Sequence, residues 1–288
     1  MKFEEALEQF LAHLRGADRS PKTISLYKGC LTKLNKYLSE KLNRPVYLDE
    51  VKPDDFERYL FEPPNDTNFS QATRHTISTA FKSFFSFCFM KGYCNTNIGK
   101  QIVQIKARSK ERTYITEDEL LQLVDQISNE TDRAMMQTMF YTGMRIGEAI
   151  NLTFDDFHYN ENYIYIRKRK SRYDRKVPIS LKLRLILDGY LEYREELDVD
   201  SDKVFVDEYR GECTESHFNR MLKRAAKKAE LNVNISSHIM RHSFASNLIA
   251  KGVDIVKVKK LLGHEKIETT QIYLHTNMQL LRNTVDKL

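Results

Sequence analysis

The chain of 288 residues has little sulfur chemistry to offer. Its four cysteines are Cys30, Cys88, Cys94 and Cys213, and no two are spaced as C-x-x-C. That pattern argues against a disulfide framework or a cysteine zinc site, and reads as reduced, mostly buried thiols in a reducing compartment. Long apolar runs are also missing. The most apolar stretch, Phe81 to Met90, is too short to span a bilayer and is interrupted by Lys82. The opening Met1-Lys2-Phe3-Glu4-Glu5 is acidic and amphipathic, unlike a secretory signal. The default location is therefore the compartment of synthesis, the cytoplasm. No P-loop, tandem repeat or low-complexity tract occurs. What remains is a well-solvated globular chain, 41% hydrophobic and 30% charged. Its net charge of +6 leans towards a polyanionic partner without demanding one.

The first hundred residues read as four helices. Phe3, Leu7, Phe10, Leu11 and Leu14 form an amphipathic stripe. Ser20-Pro21 is a helix start, an N-cap followed by proline at the first helical position. Ile24, Tyr27, Leu31, Leu34 and Leu38 follow on one face. A third helix opens at Pro53 and ends before Pro63-Pro64. A fourth runs from Ser70 through Ile77, Phe81, Phe84, Phe85 and Cys88 to Gly92. Short connections between four such helices predict a compact bundle. The charged, apolar-poor stretch 106–113 reads as a linker, or as a solvated loop inside one domain.

A capping box, Thr116 with Glu119, starts the next helical region, which continues to about Leu152. Tyr163–Ile166 and Arg175–Ile179 read as strands around a basic turn. Helices resume at Leu181, with a short strand expected at Val204–Val206. The fold class is mainly α with a small β-sheet, an α+β arrangement.

Several polar residues could carry chemistry, and each has an ordinary explanation when taken singly. Arg145 could pair with Glu148 one helical turn away. Lys170 sits in the run Arg167-Lys168-Arg169-Lys170-Ser171-Arg172, which a solvated turn would explain. His238 and Arg241 share a helix face, and His264 follows a glycine helix end. Tyr273 is one of 15 tyrosines. His238 and His242 have the spacing of zinc-helix histidines, but Ile239 stands where the glutamate would be, and no third ligand is evident.

In order, however, the set is specific: an Arg, a hairpin Lys, His-x-x-Arg, Leu-Gly-His, then Tyr nine residues later. This order resembles the tyrosine recombinases, or phage integrase family, and most closely the compact Xer-type members. The likeness covers nearly the whole chain. Ser70-Gln71-Ala72-Thr73-Arg74 and the aromatic run after it resemble the family's core-binding helices. The segment Ser237 to Tyr273 matches most strongly. The resemblance implies a SAM-like helical core-binding domain at 1–105, a linker at 106–113 and a catalytic domain at 114–288.

It further implies that Arg145 and Arg241 hold one DNA phosphate. His238 and His264 add hydrogen bonds, with His238 also moving a proton. Lys170 is the general acid, Tyr273 the nucleophile and Glu148 a supporting carboxylate. No metal, ATP or other cofactor is needed, because the phosphotyrosyl ester keeps the energy of the broken diester. The implied partners are double-stranded DNA with a specific recombination site and a homotetramer on synapsed DNA, or a heteromer with a related recombinase. Accessory DNA-bending proteins are a further expectation, and the reaction passes through a Holliday junction.

The chain departs from the family in two places. Phe154 stands where a Trp is frequent, and Arg169 and Ser171 flank Lys170 where glycines are usual, which leaves Lys168 a competitor for the acid role. Met278, Leu280, Leu281, Val285 and Leu288 form an amphipathic C-terminal segment. It would pack on its own domain or, as in the family, dock on a neighbouring protomer. Two other classes fit part of the pattern: a type IB topoisomerase and a DNA-binding regulator without catalysis.

Overall fold

The computed structural model describes residues 1–64, 67–102, 105, 114–167, 174–207, 211–264 and 266–271. Packing divides the chain into two compact units, Met1–Lys110 and Glu111–Leu288. The expected linker at 106–113 lies outside the described residues, as do Lys170, Tyr273 and the C-terminal segment.

The first unit is built from α1 (Phe3–Gly16), α2 (Pro21–Leu42), α3 (Pro53–Phe61) and α4 (Gln71–Met90). The helices begin where their caps demand. Ser20 Oγ accepts from Thr23 N at 3.1 Å, and Ser70 Oγ from Thr73 N at 3.2 Å. The apolar stripes meet in an aromatic core of Phe3, Phe10, Phe56, Phe81, Phe84 and Phe85, with Phe56 and Phe81 edge to face at 4.1 Å. Gly92, at φ +70°, ends α4 as expected.

The second unit starts with α5 (Glu117–Asp125), where Thr116 and Glu119 close their capping box. It continues through α6 (Glu130–Thr142) and α7 (Ile146–Ala149) to a three-stranded antiparallel sheet. The strands are β1 (Phe157–His158), β2 (Tyr163–Ile166) and β3 (Arg175–Pro178), in that order. Ile164 pairs with Val177 and Ile166 with Arg175. Then follow α8 (Leu181–Glu196), α9 (Glu215–Lys228), α10 (Ser237–Ala250), α11 (Ile255–Leu262) and α12 (Glu268–Gln271). Helix α6 runs through the middle, its Met135, Met136 and Met139 fully buried, and packs on α8 and α10. No helix among the described residues is long and apolar enough to cross a membrane.

One expected strand is absent. Val204, Phe205 and Val206 are fully buried but irregular. Their neighbourhood makes an isolated antiparallel bridge between Lys203 and Thr153 and separate bonds, such as Val204 N to the Leu152 carbonyl at 2.9 Å and Tyr190 Oη to the Val204 carbonyl at 2.9 Å. A short apolar run marks burial, but strand formation needs a continuous partner ladder, which this segment lacks. The two-residue β1 was not anticipated, being too short to show alternation.

Candidate active site

The site begins where α6 stops. Gly143, at φ +65°, turns the chain at once; a Cβ there would lie 2.4 Å from Phe244 Cδ1. Two residues later Arg145 is the N-cap of α7, with extended backbone (φ −78°, ψ 154°). It therefore projects from the helix entrance, where the sequence suggested a position within a helix. The pairing with Glu148 is present all the same. Glu148 Oε2 accepts from Arg145 N at 2.7 Å, and Oε1 from Arg145 Nη1 at 3.1 Å.

Glu148 is not Arg145's alone. Arg175, at the start of β3, donates Nη2 to Oε2 at 2.7 Å and Nη1 to Oε1 at 3.1 Å. Burial by itself would raise the Glu148 pKa, but this guanidinium fork, with help from Arg145, holds it down to about 2. The carboxylate is therefore ionised.

Helix α10 supplies His238, exposed in its first turn, and Arg241, one turn on along the same face and only 6% exposed. Arg241 reaches two helix ends. Nη1 donates to the Gly143 carbonyl at 2.6 Å, and Nη2 to the Leu262 carbonyl at 2.5 Å. The C-terminal ends of α6 and α11 carry partial negative charge, which suits a cation there. Helix α11 closes with Gly263 at φ +64°. Gly263 N donates to the Lys260 carbonyl and His264 N to the Lys259 carbonyl, the paired bonds of a Schellman turn. This turn sets the direction of His264.

His264 Nδ1 lies 2.9 Å from Thr270 Oγ1, a fully buried hydroxyl three residues before Tyr273. Burial, then the charges of Arg241, Arg145, Arg175 and His242, push the His264 pKa down to about 3. Its ring is neutral at working pH. The fold thus gathers three guanidinium groups about one imidazole, with Glu148 shared between those of Arg145 and Arg175. Such a cluster in a half-buried pocket is a ready receptor for an anion.

Arg145, Glu148, Arg241 and His264 are thus brought together, and His238 shares a helix face with Arg241. Lys170 and Tyr273 fall outside the described residues. The sequence reading missed Arg175 as a site residue. A signal was present: alternation along β3 puts Arg175 on the same face as the buried Val177, an unusual place for an unpaired cation.

A second basic feature lies on α9. Phe218, Leu222, Ala225 and Ala226 face the core, while Arg220, Lys223, Arg224, Lys227 and Lys228 are all exposed at helical spacing. Asn219 Oδ1 accepts from Ser237 N at 2.8 Å, fastening this helix to the start of α10.

An arginine-lined anion pocket with a neutral histidine, on a helical unit carrying a three-stranded sheet, has known counterparts. The model of the phage integrase family matches residues 113–280, and that of the phage integrase N-terminal SAM-like domain matches residues 7–92. The chain belongs to the phage integrase family, the tyrosine recombinases, as its motif order suggested. It is 30% identical to a tyrosine recombinase of Thermosipho africanus, over 100% of this chain and 99% of the relative. It is 27% identical to tyrosine recombinase XerA of Pyrococcus horikoshii, over 98% and 93%. Among solved structures, a XerA recombinase shares 28% identity with a TM-score of 0.56, covering 99% of this chain and 98% of the other. A lambda integrase dimer bound to a COC′ core site has a TM-score of 0.80 over 97% of each chain; at 18% identity the likeness is one of fold.

Proposed function

We propose that this chain is a site-specific recombinase that cuts and rejoins DNA through a 3′-phosphotyrosyl intermediate. The observation that carries the reading is the convergence of Arg145, Arg241 and neutral His264 on one pocket. A phosphodiester brings a single negative charge, and attack on phosphorus places more charge on its equatorial oxygens. Guanidinium forks match that geometry. The Arg241 guanidinium carries its donors in a planar fork that matches phosphate oxygens. A neutral His264 can donate a hydrogen bond without adding another desolvated charge.

The step balances without an outside reactant. Tyr273 Oη forms the bond to phosphorus as its phenolic proton passes to His238. The bond from phosphorus to the 5′ oxygen breaks, and Lys170 protonates that leaving oxygen. Tyr273 and Lys170 enter by their match to the family's motif order. A 5′ hydroxyl of another strand then attacks the phosphotyrosyl ester in reverse.

Related proteins support the partners. A XerH recombinase has been solved in a post-cleavage complex with a palindromic difH substrate, and a lambda integrase tetramer bound to a Holliday junction. By analogy this chain acts as a homotetramer, or a heteromer with a related recombinase, on synapsed double-stranded DNA in the cytoplasm. The 1–105 segment serves as the core-binding domain and 114–288 as the catalytic domain. The exposed cations of α9 face the phosphate backbone.

Covalent trapping tests the reading. Nicked suicide duplexes with a randomised core are incubated with the protein, and covalent adducts are recovered and sequenced. The expected result is enrichment of one core sequence by the native chain, with Tyr273→Phe binding that sequence and forming no adduct. An adduct formed by Tyr273→Phe would overturn the assignment. Relaxation of plasmids lacking the enriched site would point to a topoisomerase.

A further inference from the structure

Arg175 lies outside the motif that identifies the family, yet the site is fastened through it. Its side chain is 9% exposed. The guanidinium fork takes both oxygens of Glu148. Nε donates to the Leu261 carbonyl at 3.0 Å. Its Cδ packs so close to Gly263 that a Cβ there would lie 2.9 Å away. One planar group thus joins the base of the hairpin, α7 and the last turn of α11.

Two physical consequences follow. Alone with Arg145, Glu148 would neutralise it one for one. With Arg175 bound to both carboxylate oxygens, that negative charge is shared, and Arg145 keeps more attraction for an incoming phosphate. The Leu261 carbonyl also neighbours the Leu262 carbonyl held by Arg241. Two guanidinium groups therefore pin the turn from which His264 projects. Lysine cannot reproduce this, because a single ammonium cannot span two carboxylate oxygens and a carbonyl in one plane.

We propose that Arg175 is a positioning residue for strand cleavage, acting through Glu148 and the Leu261 carbonyl to hold Arg145, Arg241 and His264 on the same phosphate. This rests on the recombinase reading above.

The test uses the full chain and the duplex enriched by covalent capture, with Arg175→Lys, Arg175→Met and the double variant Arg175→Met/Glu148→Gln. Duplex affinity, single-turnover adduct formation, thermal unfolding and the His264 ring titration by NMR are measured for each. In Arg175→Lys we expect affinity within about twofold of native and adduct formation slowed by about tenfold to a hundredfold, the range expected for lost alignment. In Arg175→Met the His264 midpoint should move upward as a neighbouring cation is removed. Adding Glu148→Gln to Arg175→Met should cost little more, because the two act as one unit.

Folded Arg175→Lys and Arg175→Met proteins that form adduct at the native rate would overturn the proposal. So would a loss confined to thermal stability, with native cleavage per folded molecule and an unmoved His264 titration. If the native chain captures no duplex at all, the recombinase reading itself fails and this assignment falls with it.

Discussion

Arg145 and Arg241 reach the anion pocket by different routes, and their losses should read differently. Arg145 stands at a helix entrance with its side chain 25% exposed, so its removal should spare the fold. Arg145→Gln is expected to slow adduct formation by about 10²–10³, the usual cost of losing one preorganised donor to a developing oxyanion. Its denaturation midpoint should stay near native. Arg241 supports two buried carbonyls, and each unsatisfied buried group costs about 1–3 kcal/mol. Arg241→Gln should therefore lose both cleavage and stability, as urea unfolding would show.

The pH response of the pocket also has a definite sign. His264 titrates lower in the folded chain, at about 3, than the ordinary 6.5. The unfolded state then binds the proton first, so stability falls as pH drops from about 6.5 towards 3. Glu148, held at about 2 against its usual 4.5, adds stability that is lost in the more acidic window between those values. Urea unfolding across pH 7 to 4 should show a loss that is shallower in His264→Asn. Equal slopes in the two proteins would contradict the assignment.

At the scale of elements, two left-handed glycines place the chemistry. Gly143 and Gly263 end α6 and α11 two residues and one residue before Arg145 and His264, respectively. An L-residue in this conformation costs about 1–2 kcal/mol. Gly143→Ala should exceed that range, because its Cβ would also meet Phe244 at 2.4 Å and Leu262 at 2.9 Å. Gly92→Ala, equally left-handed but opening on empty space, should stay within it. Denaturant unfolding of the two variants checks the order.

The elements also show where a linear reading has purchase. Caps at Ser20 and Thr116 were legible because they depend on neighbours three residues away. The irregular course of Val204–Val206, where a strand was expected, was not legible, because strand formation depends on a partner ladder distant in sequence.

Across the whole molecule, the modest +6 charge matters less than where it lies. On α9, five cations occupy one exposed face. Each phosphate contact contributes about one unit to the slope of log affinity against log salt. Lys223→Gln/Lys227→Gln should flatten that slope by up to about two units and weaken binding to all duplexes alike. An unchanged slope would remove α9 from the DNA interface.

The sequence by itself determined the helices, their caps, the family and the order of the reactive residues, because these depend on periodicity and on motifs read along the chain. Tertiary structure alone decided that Glu148 is shared by Arg145 and Arg175, that Arg241 grips the ends of α6 and α11, and that His264 is neutral. Those facts arise from groups far apart in the chain, Gly143 and Arg241 among them at a separation of 98 residues, meeting in a half-buried, low-dielectric pocket. The strength of charge and hydrogen bonding there depends on distance in space, which a linear pattern does not contain.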